Sequence, residues 1–131
     1  MSELHRLPIR IYWEDTDAGG VVYHASYLRF MERGRTELLR AKGIDQSVLQ
    51  DESGLTFVVA QMNIDFRAPA RLDDELIVET SARAVGGASL RLAQKVLRGA
   101  DVLVDADVTC ALVSRAGRPA RIPPEIKAKL V

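Results

Sequence analysis

Between Trp13 and Arg33 the chain reads WEDTDAGGVVYHASYLRFMER, and the residue types able to do chemistry crowd into its first half. Asp15 and Asp17 offer carboxylates, Gly19 and Gly20 strip the backbone of side chains, and Tyr23 and His24 follow at once. Adjacent glycines permit backbone conformations closed to other residues and let a ligand approach the main chain. A helix starting just beyond them would aim its unpaired N–H groups and the positive end of its dipole back at this loop. That combination suits the oxygen of a polarised carbonyl, where one donor contributes about 3 kcal/mol as negative charge develops. Asp17 is the candidate general base toward water or nucleophile toward that carbonyl, while Tyr23 and His24 are candidates to position substrate or manage a proton. Gly20, Val21 and Val22 would line the approach. Acyl transfer is the implied chemistry.

Other readings of the same residues stand beside this one. Aspartate followed by small residues also makes ordinary turns, so DAGG taken alone favours a structural turn over catalysis. Asp15 reads as a solvated neighbour. A metal site from Asp15, Asp17 and His24 lacks a second histidine or cysteine. Cys110, the single cysteine, lies in VTCALV with no histidine or cation adjoining it and reads as a small buried hydrophobe.

The elements that must position these residues follow from hydrophobic spacing. From about Ala25 to Lys42, Tyr27, Met31, Gly34, Leu38 and Ala41 recur at three- and four-residue steps, with Arg29, Glu32, Arg33, Glu37 and Arg40 opposite. This predicts an amphipathic helix of about 25 Å, capped by Ser26 and ended by Gly43. Gly34 inside it costs about 1 kcal/mol relative to alanine, which suggests close approach of a strand backbone. Leu4 to Trp13, interrupted by Pro8, reads as an edge strand. After a polar connection, QSVLQDESG, period two places Val58, Ala60, Met62, Ile64 and Phe66 on one face and Phe57, Val59, Gln61, Asn63 and Asp65 on the other, ending at Pro69. Three further strands are expected over roughly Glu75–Val85, Ala88–Arg98 and Val102–Ser114, joined by hairpin-length separators. The last should face Val102, Val104, Ala106, Val108, Cys110 and Leu112 one way. The tail holds three prolines and a helical turn opening at Pro124. The predicted class is α+β, with a curved antiparallel sheet of about five strands around one long helix in a single domain over residues 1–131.

Composition sets outer limits. The 131 residues are 47% apolar, enough for one domain with a real core, and 18 basic residues balance 18 acidic ones. No net field draws the chain to nucleic acid or an anionic membrane. No apolar run suits a membrane span, and MSELHRLPIR lacks the apolar centre of a signal peptide, so a cytoplasmic protein is expected.

Arg10-Ile11, Thr16-Asp17 and Gly20-Val21-Val22, followed by YHASYLRFMERGRTELLR and by FRAPARLDDELIV at Phe66–Val78, resemble the acyl-CoA thioesterases of the 4-hydroxybenzoyl-CoA thioesterase class. The chain looks most like their bacterial branch associated with the Tol-Pal envelope gene cluster. The resemblance covers all but the C-terminal tail. It implies a hotdog fold and hydrolysis of acyl-CoA to free acid and coenzyme A, with no metal or organic cofactor. It places the catalytic aspartate at Asp17, with His24 and Tyr23 beside it. Related sequences often carry asparagine where this chain has Ser26, and both residues cap helices well.

Coenzyme A brings phosphates, for which Arg67, Arg71, Arg118 and Arg121 are the candidate cations. Ile77, Val85, Leu97, Leu103 and Val113 are left on the far sheet face and imply burial against another subunit. The expectation is a homotetramer, with a dimer as minimum. Two alternatives accompany hydrolysis. One is a non-catalytic acyl-CoA or acyl-carrier-protein binding module. The other is a hotdog dehydratase using a helix acid such as Glu32 or Glu37.

Overall fold

The structure, a computed structural model, describes residues 4–131. The helical spacing after the glycine loop produces one long helix, and period two produces five strands. In chain order these are β1 (His5–Arg10), α1 (His24–Ala41), α2 (Gln46–Ser53), β2 (Thr56–Phe66), β3 (Glu75–Val85), β4 (Ser89–Arg98), β5 (Asp101–Val113) and α3 (Pro124–Leu130). The strands form one antiparallel sheet in the order β1-β3-β4-β5-β2. It curves around α1 as the hotdog arrangement requires. Pro8 sits in edge strand β1, where its missing N–H does least harm. Among the described residues no helix is long and apolar enough to cross a membrane.

The face of α1 that meets the sheet carries Tyr27, Phe30, Met31, Gly34, Leu38 and Leu39, all buried. Ala41, expected on this face, is exposed. An added Cβ at Gly34 would stand 2.7 Å from Val78 Cγ1 and 2.9 Å from Thr80 Oγ1, so the bare position admits strand side chains rather than strand backbone. Gly43, at φ +83, ends the helix as expected.

Several expectations are corrected. Ser26 does not cap α1: Tyr23 is the N-cap residue, and buried Ser26 donates its hydroxyl to the Asp15 carbonyl at 3.1 Å. The first strand stops at Arg10, and Trp13–Asp15 form a single 3-10 turn with Trp13 exposed. QSVLQDES is α2 rather than a plain connection, because Asp45 Oδ1 accepts from the Ser47 and Val48 amides while Gly54 ends it left-handed. The terminal turn at Pro124 extends to seven residues, burying Ile126 and Leu130.

Three register slips interrupt the sheet and shift side chains between faces. The β2–β5 register slips between Val59 and Gln61, so Phe57 packs against the same core as Met62 and Ile64 instead of opposite them. A second slip between Val96 and Leu97 turns Leu103 inward to zero exposure, which removes it from the surface proposed for a second subunit. Ile77, Leu97 and Val113 remain partly exposed, whereas Val85, expected beside them, packs against the core beyond a slip between Ala82 and Ala84.

Candidate active site

The loop between Asp15 and Tyr23 is held from both ends. The Asp15 carbonyl accepts from the Tyr23 amide at 2.9 Å, and Thr16 pairs with Val22 across the loop. Asp15 is thus no solvated neighbour: it is buried, and its Oδ2 accepts from the Tyr12 amide at 2.9 Å. Within the loop the Asp17 amide donates to the Val21 carbonyl at 2.8 Å and the Gly20 amide to the Asp17 carbonyl at 3.0 Å. Gly20 closes this turn at φ +82, a conformation that costs other residues about 1–2 kcal/mol.

Asp17 itself is exposed, and its Oδ1 accepts from the Gly19 amide at 2.8 Å. This local bond fixes the carboxylate while Oδ2 takes no donor among the described residues. A Cβ on Gly19 would lie 3.2 Å from Oδ1, so the glycine leaves room for the acid.

The loop is stitched to the segment after β2. The Val22 amide donates to Ala70 O at 2.8 Å, the Ala70 amide donates to Tyr27 Oη at 3.0 Å, and Val21 bridges Arg71. Burial raises the Tyr27 hydroxyl above the usual tyrosine range, so the phenol keeps its proton. Asp74 anchors the far end of that segment, accepting from the Arg71 amide at 2.9 Å and from Arg98 at 2.9 Å. The amide bond and the Arg98 charge hold its carboxyl below the usual range.

At the start of α1 the Tyr23 amide is occupied by Asp15, whereas the His24 and Ala25 amides have no acceptor among the described residues. The Tyr23 and His24 rings lie 4.5 Å apart, and His24 meets Phe66 edge-on at 6.3 Å. His24, Val22, Tyr27, Phe66 and Arg67 line a cavity of about 280 Å³. The structure therefore gathers Val22, His24 and Arg67 around one cavity, sets Tyr23 beside them, and presents Asp17, Gly20 and Val21 in the adjoining loop.

The four candidate arginines differ in kind. Arg67 bonds Asp65 through Nε and Asp105 through Nη2, each at 3.0 Å, and these two aspartates oppose each other in the β2–β5 register. Its charge is engaged in relieving that repulsion. Arg71, Arg118 and Arg121 are exposed and form no ion pair among the described residues. The Arg121 guanidinium lies against Gly87, in the β3–β4 turn. Asp15, Asp17 and His24 do not converge as a metal-holding group among the described residues. Glu37 pairs with Arg40 on the outer side of α1, away from the loop.

Residues 11–130 match the family model described as Thioesterase-like superfamily. The chain is 47% identical over 122 residues to the acyl-CoA thioesterase YbgC of Haemophilus influenzae, spanning 92% of this chain and 90% of that protein. Among solved structures, a probable thioesterase from Bartonella henselae superposes with TM-score 0.89 at 41% identity, covering 92% of this chain and all of that one. A 4-hydroxybenzoyl-CoA thioesterase superposes with TM-score 0.89 at 20% identity, covering 98% of this chain and 99% of that one, which shows a shared fold.

Proposed function

Because this chain belongs to the thioesterase-like superfamily, we propose that it hydrolyses acyl-CoA thioesters to free acid and coenzyme A. The observation that carries the reading is a carboxylate locked by its own loop, with one oxygen open, beside a helix start whose first amides are unclaimed. The thioester carbonyl accepts from the His24 and Ala25 amides, which stabilise the oxygen as its charge grows. Asp17 then acts in one of two ways. As general base it takes a proton from water as the water oxygen bonds to the carbonyl carbon. As nucleophile its own oxygen forms that bond, and water later cleaves the anhydride. In both cases the C–S bond breaks and the thiolate of coenzyme A leaves and is protonated.

His24 and Tyr23 position the acyl-bearing end, with Gly20, Val21 and Val22 offering backbone along the entry. Arg71 and Arg121 are better placed than Arg67 to meet the phosphates, since the Arg67 charge is already shared by two carboxylates. The same proposal includes the Tol-Pal-associated bacterial branch, a cytoplasmic setting, a single domain over residues 1–131, and acyl carrier protein as an alternative carrier of the acyl group. Similarity to the Haemophilus acyl-CoA thioesterase supports the thioesterase part of this reading. It also includes self-association into a dimer and then a tetramer. Val58, Val59 and Phe66 are exposed on edge strand β2, whose free backbone groups suit pairing with a second copy.

The test is a panel of aromatic and aliphatic acyl-CoAs with wild-type protein, quantifying free coenzyme A and the acid formed. Release of both in equal amounts is expected. Acyl-CoA binding without release would favour the binding module, and a change in acyl unsaturation without thiol release would favour the dehydratase.

A further inference from the structure

At the end of α1 remote from the active loop, α2 and α3 enclose a trough of about 320 Å³. Buried Ile44 and Ile126 form its floor, and Val48 and Leu49 rise along the α2 wall, with Val48 45% exposed. A helix of eight residues does not hold itself together in water, so α2 must be fixed by its surroundings. It buries none of its residues, and the fixing is done at its two ends. Asp45 Oδ1 accepts from the Ser47 hydroxyl at 2.7 Å and from the Ser47 and Val48 amides. At the other end Arg115 Nη2 donates to the carbonyls of Gln50 at 3.3 Å and Asp51 at 3.2 Å. The helix is held in place while its side toward the trough stays open.

Charge decides what can cover that side. Asp45, Val48, Leu49 and Glu52 fall at i, i+3, i+4 and i+7, which sets the two acids about 10 Å apart along one side of α2 with the apolar pair between them. Glu125 adds a carboxylate from the α3 wall. Asp45, Glu52 and Glu125 are exposed and form no ion pair among the described residues. Among the described residues lining the trough the one cation is Lys129, which donates to the Gly43 carbonyl at 3.1 Å. The walls are thus net negative around an apolar floor. Such walls repel anionic lipid, nucleic acid and acidic protein surfaces. They suit an apolar ridge flanked by cations, which a helix supplies when basic residues two turns apart bracket an apolar pair.

We propose that the trough docks a positively charged amphipathic helix of a partner protein, with the pattern basic-x-x-apolar-apolar-x-x-basic. The trough lies the length of α1, about 25 Å, from His24, so docking leaves the active loop open and the proposal stands apart from the thioesterase reading.

The experiment titrates the full chain into a fluorescein-labelled helical peptide that carries this pattern with Lys as the basic and Leu as the apolar residue, reading anisotropy. A second peptide of the same composition has its leucines moved to the side opposite the lysines. The expected result is a Kd of about 10–100 μM for the first peptide, weakening severalfold between about 50 and about 300 mM NaCl. Glu52→Lys with Glu125→Lys should weaken binding at least about tenfold, and Glu52→Gln with Glu125→Gln should fall between that and wild type. Val48→Ser, which keeps every charge, should weaken it about fivefold. All three positions are exposed, so the melts should match wild type. Equal binding of the second peptide, binding unaffected by the charge reversal, or no binding up to about 1 mM would overturn the proposal. So would a changed sedimentation coefficient in these variants, which would give the trough to a second copy of this chain. Flotation of wild type but not Val48→Ser with phosphatidylcholine vesicles would overturn it in favour of lipid.

Discussion

Gly34 offers a test in which two local rules oppose each other. Replacing it by alanine should favour the helix by about 1 kcal/mol on intrinsic propensity. Yet the new Cβ would stand 2.7 Å from Val78 Cγ1 and 2.9 Å from Thr80 Oγ1, distances at which something must move. Neither neighbour yields easily: Val78 and Thr80 are fully buried, and the Thr80 hydroxyl accepts from the Gln94 amide at 2.9 Å. Overpacking of this kind costs about 1–3 kcal/mol, and two buried obstacles place it at the upper end. The net expectation for Gly34→Ala is a loss of about 2 kcal/mol, or a fall of about 8 °C in Tm for a chain of this size. Urea and thermal melts followed by circular dichroism measure it. Val78→Ala removes the tighter obstacle, so the double variant should lose less than the sum of the singles by about 1 kcal/mol. A Gly34→Ala protein that melts above the parent would refute the reasoning, because propensity would then outweigh packing.

Gly19→Ala presses a Cβ toward Asp17 Oδ1 at 3.2 Å, so acyl-CoA turnover should fall severalfold while the melt moves little; turnover equal to wild type would show that the carboxylate is not held as described. Asp74 has a folded pKa below its unfolded value through the Arg71 amide and Arg98. Its stabilising contribution is therefore present above about pH 4 and lost as pH falls through the folded value. Asp74→Asn should flatten that acid limb in denaturation curves between pH 2 and 6. Burial raises the Cys110 thiol pKa, so native protein at pH 8 should react with iodoacetamide at least about tenfold more slowly than protein in urea, as followed by mass spectrometry.

What the sequence disclosed depended on how local each signal was. The β3 strand has the bounds read from alternation, Glu75–Val85, and Gly34 and Gly43 act at the places their chemistry required. The irregular positions lay beyond that kind of reading. Strict alternation cannot show that one extra residue near Ala60 reverses the faces of β2, or that a second slip turns Leu103 inward, because register is settled by the partner strand. α2 was legible in principle from Asp45 at its start and Gly54 at its end, but it buries none of its residues and so gives no clear apolar stripe.

The candidate site divides in the same way. DAGG and the helix after it were visible as a glycine loop leading into an amphipathic helix. The burial of Asp15 and the displaced role of Ser26 were not, since both depend on bonds to Tyr12 and Tyr23 that only the folded loop creates. Arg67 matched the family pattern in sequence, yet its two aspartate partners come from β2 and from β5, thirty-eight residues away in the case of Asp105.

The central claim is that the Asp17 carboxylate carries thioester hydrolysis. Its most direct test is kcat/KM of wild type and Asp17→Asn on the best acyl-CoA of the panel, with melts run alongside. A fall of at least about a hundredfold with an unchanged melt is predicted, the range expected for loss of a catalytic acid or base. Undiminished turnover in a folded Asp17→Asn protein would contradict the account.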